Sequence, residues 1–203
     1  VLDMISTDKR RDMFSGEPLP PELASANAYL GAKPIAAALA KGADIVITGR
    51  VVDSALSLGP LIHEFGWSLD DYDRLAAGTL IGHLLECGPQ PSGGIFTDWR
   101  EIDWSNSSFP IAECFEDGIA IISKVDGTGG KVSFGTVAEQ ILYEIADPQR
   151  YFMPDVTCDF SEVRIDIFGQ HRIRVSGTNG HPPTQFYKIS AVPRRGRRAL
   201  PWA

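Results

Sequence analysis

Between Ala32 and Arg50 the chain reads AKPIAAALAKGADIVITGR, and this run limits the possible folds more than any other stretch. Pro34 suits a first helical turn, where its missing N–H has no partner to lose. Ile35, Ala38 and Leu39 recur at helical spacing and Gly42 supplies a stop, so a helix is predicted over 33–41. Ile45, Val46 and Ile47 then follow one another without a polar break. An apolar run without alternation is what a strand covered on both faces of a parallel sheet requires. Helix followed by covered strand predicts an α/β fold, with helices layered on a mostly parallel sheet.

The remaining chain extends that prediction. Leu56, Leu58 and Leu61 give a helix over 53–65 an apolar face. A second helix is predicted over 69–87, with Asp70 and Asp71 near its positive end and Gly88-Pro89 closing it. Residues 89–115 are rich in Gly, Pro and short polar side chains and read as loop. Next come a covered strand over 118–125, the glycine turn DGTGG and a helix GTVAEQILYEIA that ends before Asp147-Pro148. From Tyr151 the period changes to two: VRIDIF and HRIRV alternate around Gly169-Gln170, which predicts a β-hairpin-rich C-terminal part, and FYKISAV reads as one more strand. The expected organisation is an irregular lead-in over 1–24, an α/β core over 25–148, a β-rich extension over 149–192 and an aberrant or disordered tail over 193–203.

Composition excludes several functions. No apolar stretch approaches the roughly 20 residues of a bilayer crossing, and no basic-then-apolar leader opens the chain. Three cysteines, far apart, match neither a disulfide scaffold nor a zinc ribbon, so a reducing, cytoplasmic setting is expected. A net charge of −7 argues against nucleic acid as a partner. The exception is local: PRRGRRALPWA carries four arginines, compatible with a basic arm or with an end foreign to the rest. The chain also starts without Met, which suggests an internal piece of a longer protein.

Three places could carry chemistry. The predicted strand delivers Thr48, Gly49 and Arg50 to its carboxyl end, with Asp53 just beyond, where open α/β sheets bind ligands. Arg50 offers a planar fork for a carboxylate or phosphate, or an ion pair with Asp53 that ties the loop down. Gly127, Thr128, Gly129, Gly130 and Lys131 lie between a predicted strand and a helix, so their amides could cradle an anion such as a cofactor phosphate; a tight turn is the other reading. The loop is neither a Walker A loop nor GxGxxG. A nucleotide-binding role would need it open, with its N–H groups unpaired.

The third place is HLLECG, which sets His83, Glu86 and Cys87 at i, i+3 and i+4, on one face at a helix C-terminus. An acid/base pair or a structural cap would both fit. A metal is not expected, because three neighbouring residues make at most part of a site. The helix end also disfavours a Cys87 thiolate.

Taken in order, the blocks SANAYLGAKPI, GADIVITGRVVDSAL, GHLLECGPQPSGG, DGTGGKV, ILYEIADPQRYFMPDVTCDF and RVSGTNGHPPTQFYKISA resemble the acyclic terpene utilisation (AtuA-like) family over roughly residues 25–192. Members of that family are longer, and the family takes its name from bacterial degradation of citronellol- and geraniol-type compounds. The resemblance implies a subunit in a catabolic pathway whose substrates are branched carboxylates or acyl-CoA thioesters, and it names no cofactor. An enzyme with Arg50, Asp53, His83 and Glu86 in one cleft and a non-catalytic binding or scaffolding subunit are both consistent with it, as is a homo-oligomer.

Overall fold

A computed structural model describes residues 11–20 and 22–194. The chain forms two compact units, one of Val1–Tyr29 with Tyr187–Ala203 and one of Leu30–Phe186. In the first, β1 (Leu23–Ala28) pairs antiparallel with β9 (Ile189–Pro193). The Arg194 N–H donates to Glu22 O, so this ladder runs two residues into the segment expected to be a tail. Residues 195–203 of that segment lie outside the described residues, as do the first ten of the lead-in.

The second unit is built around a helix with no polar face in its middle. It begins with α1 (Lys33–Ala40), α2 (Ala55–Phe65) and α3 (Tyr72–Glu86), and every residue of α3 from Leu75 to Leu84 is buried. A helix apolar all round must be enclosed. Here α1 packs on α2 and α2 on α3, while β2 (Pro110–Cys114), β5 (Thr157–Asp159), β8 (Asn179–His181) and α4 (Phe134–Leu142) also contact α3. Asp71 caps the helix by accepting from the Arg74 N–H. Gly82 lets α2 approach: a Cβ there would lie 2.6 Å from Ser54 Cα.

Two antiparallel sheets complete this unit. One has the order β2, β3 (Ala120–Lys124), β7 (Arg172–Ser176), β6 (Arg164–Gly169), and the other the order β4 (Tyr151–Phe152), β5, β8. The hairpin predicted around Gly169-Gln170 is β6–β7, with His171 at φ 52° in its turn. The predicted helices form, the first three within their predicted bounds, whereas α4 starts at Phe134 and ends at Leu142, short of the predicted end before Asp147-Pro148. Within the predicted loop 89–115, Pro110–Cys114 instead pairs with β3.

The mostly parallel sheet is not formed. All ladders between described strands are antiparallel, and parallel pairing is limited to the isolated bridges Leu30–Val51 and Ser107–Gly129. The run Ile45–Ile47, from which a parallel sheet was inferred, is not a strand. Val46 packs against the core, while Ile45 and Ile47 are 82% and 92% exposed. Their side chains alternate inward and outward, as in any extended segment, and no described strand lies beside them to cover the outer side. The covered strand 118–125 does form, as β3, but its neighbours β2 and β7 both run antiparallel to it.

Candidate functional site

The last turn of α3 holds a buried histidine bonded through both ring nitrogens. His83 is 1% exposed. Its Nε2 lies 2.8 Å from the Gln140 carbonyl oxygen and its Nδ1 3.0 Å from Glu86 Oε1. A carbonyl only accepts, so Nε2 carries a hydrogen and donates. A neutral imidazole would then present a bare Nδ1 to the carboxyl group, and two acceptors cannot bond each other. The Nδ1–Oε1 contact is a hydrogen bond only with a proton between the two atoms, which makes it an acid/base pair by geometry. The i, i+3 spacing anticipated the pairing, but the partner that sets the tautomer comes from α4.

That partner is clasped from both sides. The Gln140 side-chain amide donates back to the His83 carbonyl oxygen at 2.9 Å, and Gln140 is fully buried. Its own carboxamide oxygen has no hydrogen-bond partner, and neither has the buried carboxamide oxygen of Gln90. Sequence reasoning missed Gln140. The signal was there: Val137, Gln140 and Ile141 share one helical stripe, which places an amide among apolar residues.

Acidic groups surround this helix end. Burial raises the Tyr151 phenol to about 12, helped by the charges of Glu86, Cys158, Glu144 and Asp53. The ring of Tyr151 meets that of His83 edge-on, with centroids 6.2 Å apart. Desolvation and then the Glu86 charge raise the Cys87 thiol, so it is not an activated nucleophile. Glu144 stands at φ 60°, a conformation that a non-glycine residue rarely adopts. No group of three or more His, Cys, Asp or Glu able to hold a metal occurs among the described residues.

Arg50 and Asp53 sit at the surface, 3.6 Å apart, with about half or more of each side chain exposed. Asp53 acts electrostatically on both Cys87 and Tyr151, and Ser54 beside it abuts Gly82 in the last turn of α3. The turn that carries the Arg50–Asp53 pair therefore meets the helix end that carries His83 and Glu86.

The glycine loop is built differently from an anion cradle. The N–H groups of Thr128, Gly129, Gly130 and Lys131 donate to the carbonyls of Val125, Asn106, Asp103 and Ser92. The Lys131 ammonium pairs with Glu101, and Lys124 Nζ reaches Thr128 O at 2.5 Å. Amides held by internal carbonyls do not converge on a phosphate. Those four amides are engaged within the protein, and a tight turn accounts for Gly127 and Gly130 at φ 72° and 78°.

Residues 2–200 match the family model described as "Acyclic terpene utilisation family protein AtuA". No curated protein and no solved structure matches the chain.

Proposed function

The chain belongs to the acyclic terpene utilisation family, and from that membership we propose that it is part of an enzyme that transfers protons on branched carboxylates or their coenzyme A thioesters. The observation that supports this is the 3.0 Å contact between His83 Nδ1 and Glu86 Oε1 at the buried end of α3, with the Gln140 carbonyl holding the other ring nitrogen. Glu86, 13% exposed in its side chain, is the member that faces outward and can exchange a proton with a bound ligand. Arg50, exposed on the adjoining turn, suits the carboxylate or the phosphates of the thioester. The acidic surroundings of Glu86 keep that anionic part of the ligand away from the helix end.

The test uses the intact protein with branched enoyl- and acyl-CoA esters. Titration calorimetry is expected to show binding that weakens in Arg50→Met. Deuterium exchange into the acyl chain is expected to fall by about 10²- to 10⁴-fold in Glu86→Gln, the range of general acid–base catalysis. Absence of binding by every ester tested rules the reading out. Binding without exchange favours the second reading, a non-catalytic binding or scaffolding subunit, which Ile45 and Ile47 support by offering two bare β-branched side chains to a partner or a second copy.

A further inference from the structure

The sheet ordered β2, β3, β7, β6 has β2 and β6 as its edges among the described strands, and the two edges differ in kind. β2 opens on Pro110, which has no N–H to donate and so blunts an edge. β6 has no such guard ahead of the register shift between Ile167 and Gly169, and five of its six residues are exposed. The outward N–H and C=O groups of such a strand form a template for another strand.

The alternation of side chains decides which strand fits. Arg164 and Asp166 lie on one face of β6, with Arg174 of β7 opposite Asp166. Ile165 and Ile167 lie on the other face, that of the buried Ile173 and Val175, yet Ile167 is 77% exposed. Two copies of β6 related by a two-fold axis pair antiparallel in few registers, because opposed residues share a face. Centring on Arg164 or on Asp166 sets like charges against each other, which destabilises the ladder. Centring on Ile167 sets Asp166 against Phe168, at the register shift. Centring on Ile165 instead sets Arg164 of each copy against Asp166 of the other, and lays Ile167 against Val163 of the other. Arg174 bonds Asp166 through Oδ2, and a carboxylate accepts a second guanidinium on its other oxygen.

We propose that β6 is the surface through which two copies of this chain associate, antiparallel about Ile165, so that their four-stranded sheets join edge to edge. The reciprocal Arg164–Asp166 contacts fix the register. The two copies use the same short patch, and Ile167 gains the cover that its own chain does not give it.

Sedimentation of the intact protein tests this, at up to about 100 μM because so short a contact belongs with interfaces below about 1,200 Å². The wild type is expected to form a dimer. Arg164→Asp and Asp166→Arg each set like charges across the axis, and each is expected to raise the dissociation constant about tenfold or more. Mixed in equal amounts, the two variants put an acidic strand against a basic one, and the dimer is expected to return. Ile167→Glu, at a position exposed in the single chain, is expected to keep the wild-type melting curve of the monomer and to weaken the dimer. A wild type that stays monomeric, a dimer that Arg164→Asp leaves at full strength, or a mixture no stronger than its parts overturns the proposal.

Discussion

At the scale of single residues, His83 is held by what surrounds it more than by its own helix. Replacing it with leucine keeps the volume but leaves the Gln140 carbonyl and the Glu86 carboxyl without their partner in a buried place. His83→Leu is therefore expected to lower stability by about 2–3 kcal/mol in urea denaturation, above the typical cost of a mutation. Gly82 is constrained in another way. Adding a methyl group would press on Ser54 Cα, a backbone atom that cannot rotate away, so Gly82→Ala is expected to destabilise by about 1–3 kcal/mol even though alanine is the better helix former.

At the scale of elements, α4 is short and depends on its start. Ser133 Oγ accepts from the Thr136 N–H while Thr136 Oγ1 accepts from the Ser133 N–H, a reciprocal capping box. Ser133→Ala is expected to cost about 1 kcal/mol, and because α4 carries Gln140 it should also loosen the clasp on His83. Hydrogen exchange at the Val137 to Ile141 amides would report this as faster opening; unchanged protection would show that tertiary packing alone holds α4 in place. The helix α1 is anchored across the unit, its first free amide at Ala32 donating to Asp155 Oδ2 at 2.8 Å. Burial raises the Asp155 carboxyl above its ordinary value, while the hydrogen bonds from Ala32 and Lys33 pull the other way.

At the scale of the whole molecule, the buried phenol and thiol make a pH prediction. Burial raises Cys158 from 9.0 to about 12 and Tyr151 from 10.0 to about 12. More than about one unit below pH 9 both groups are protonated whether the chain is folded or not, so there they contribute no pH dependence. Between those ordinary values and about 12 the unfolded chain loses protons that the folded one keeps, and stability must fall as pH rises. Thermal denaturation from pH 8 to 11 is expected to show this decline, reduced in Tyr151→Phe and in Cys158→Ser. Ultraviolet titration is expected to show a phenol that ionises near pH 12, a component lost in Tyr151→Phe. The bare Ile45 and Ile47 make a separate prediction at this scale. If nothing in the second unit covers them, lysine at either position changes stability by no more than about 0.5 kcal/mol, and a larger loss would reveal a partner.

What the residues determine locally could be read without coordinates. The four helices, the β6–β7 hairpin, the strand β3 and the His83–Glu86 spacing all follow from periodicity, caps and turn residues acting within a few positions of one another. The ordered motif blocks identified the family, and the family model agrees over residues 2–200. Sheet direction was not legible, because an extended run such as Ile45–Ile47 has the same local pattern whether parallel strands flank it or its outer side is bare. The amides of the Gly127–Lys131 loop looked available until Asn106, Asp103 and Ser92, distant in sequence, supplied their acceptors. The tautomer of His83 likewise depends on a carbonyl 57 positions away. Local interactions decide which segments form and which side faces inward; only the closed chain decides which polar atoms meet, and with them the chemistry at the end of α3.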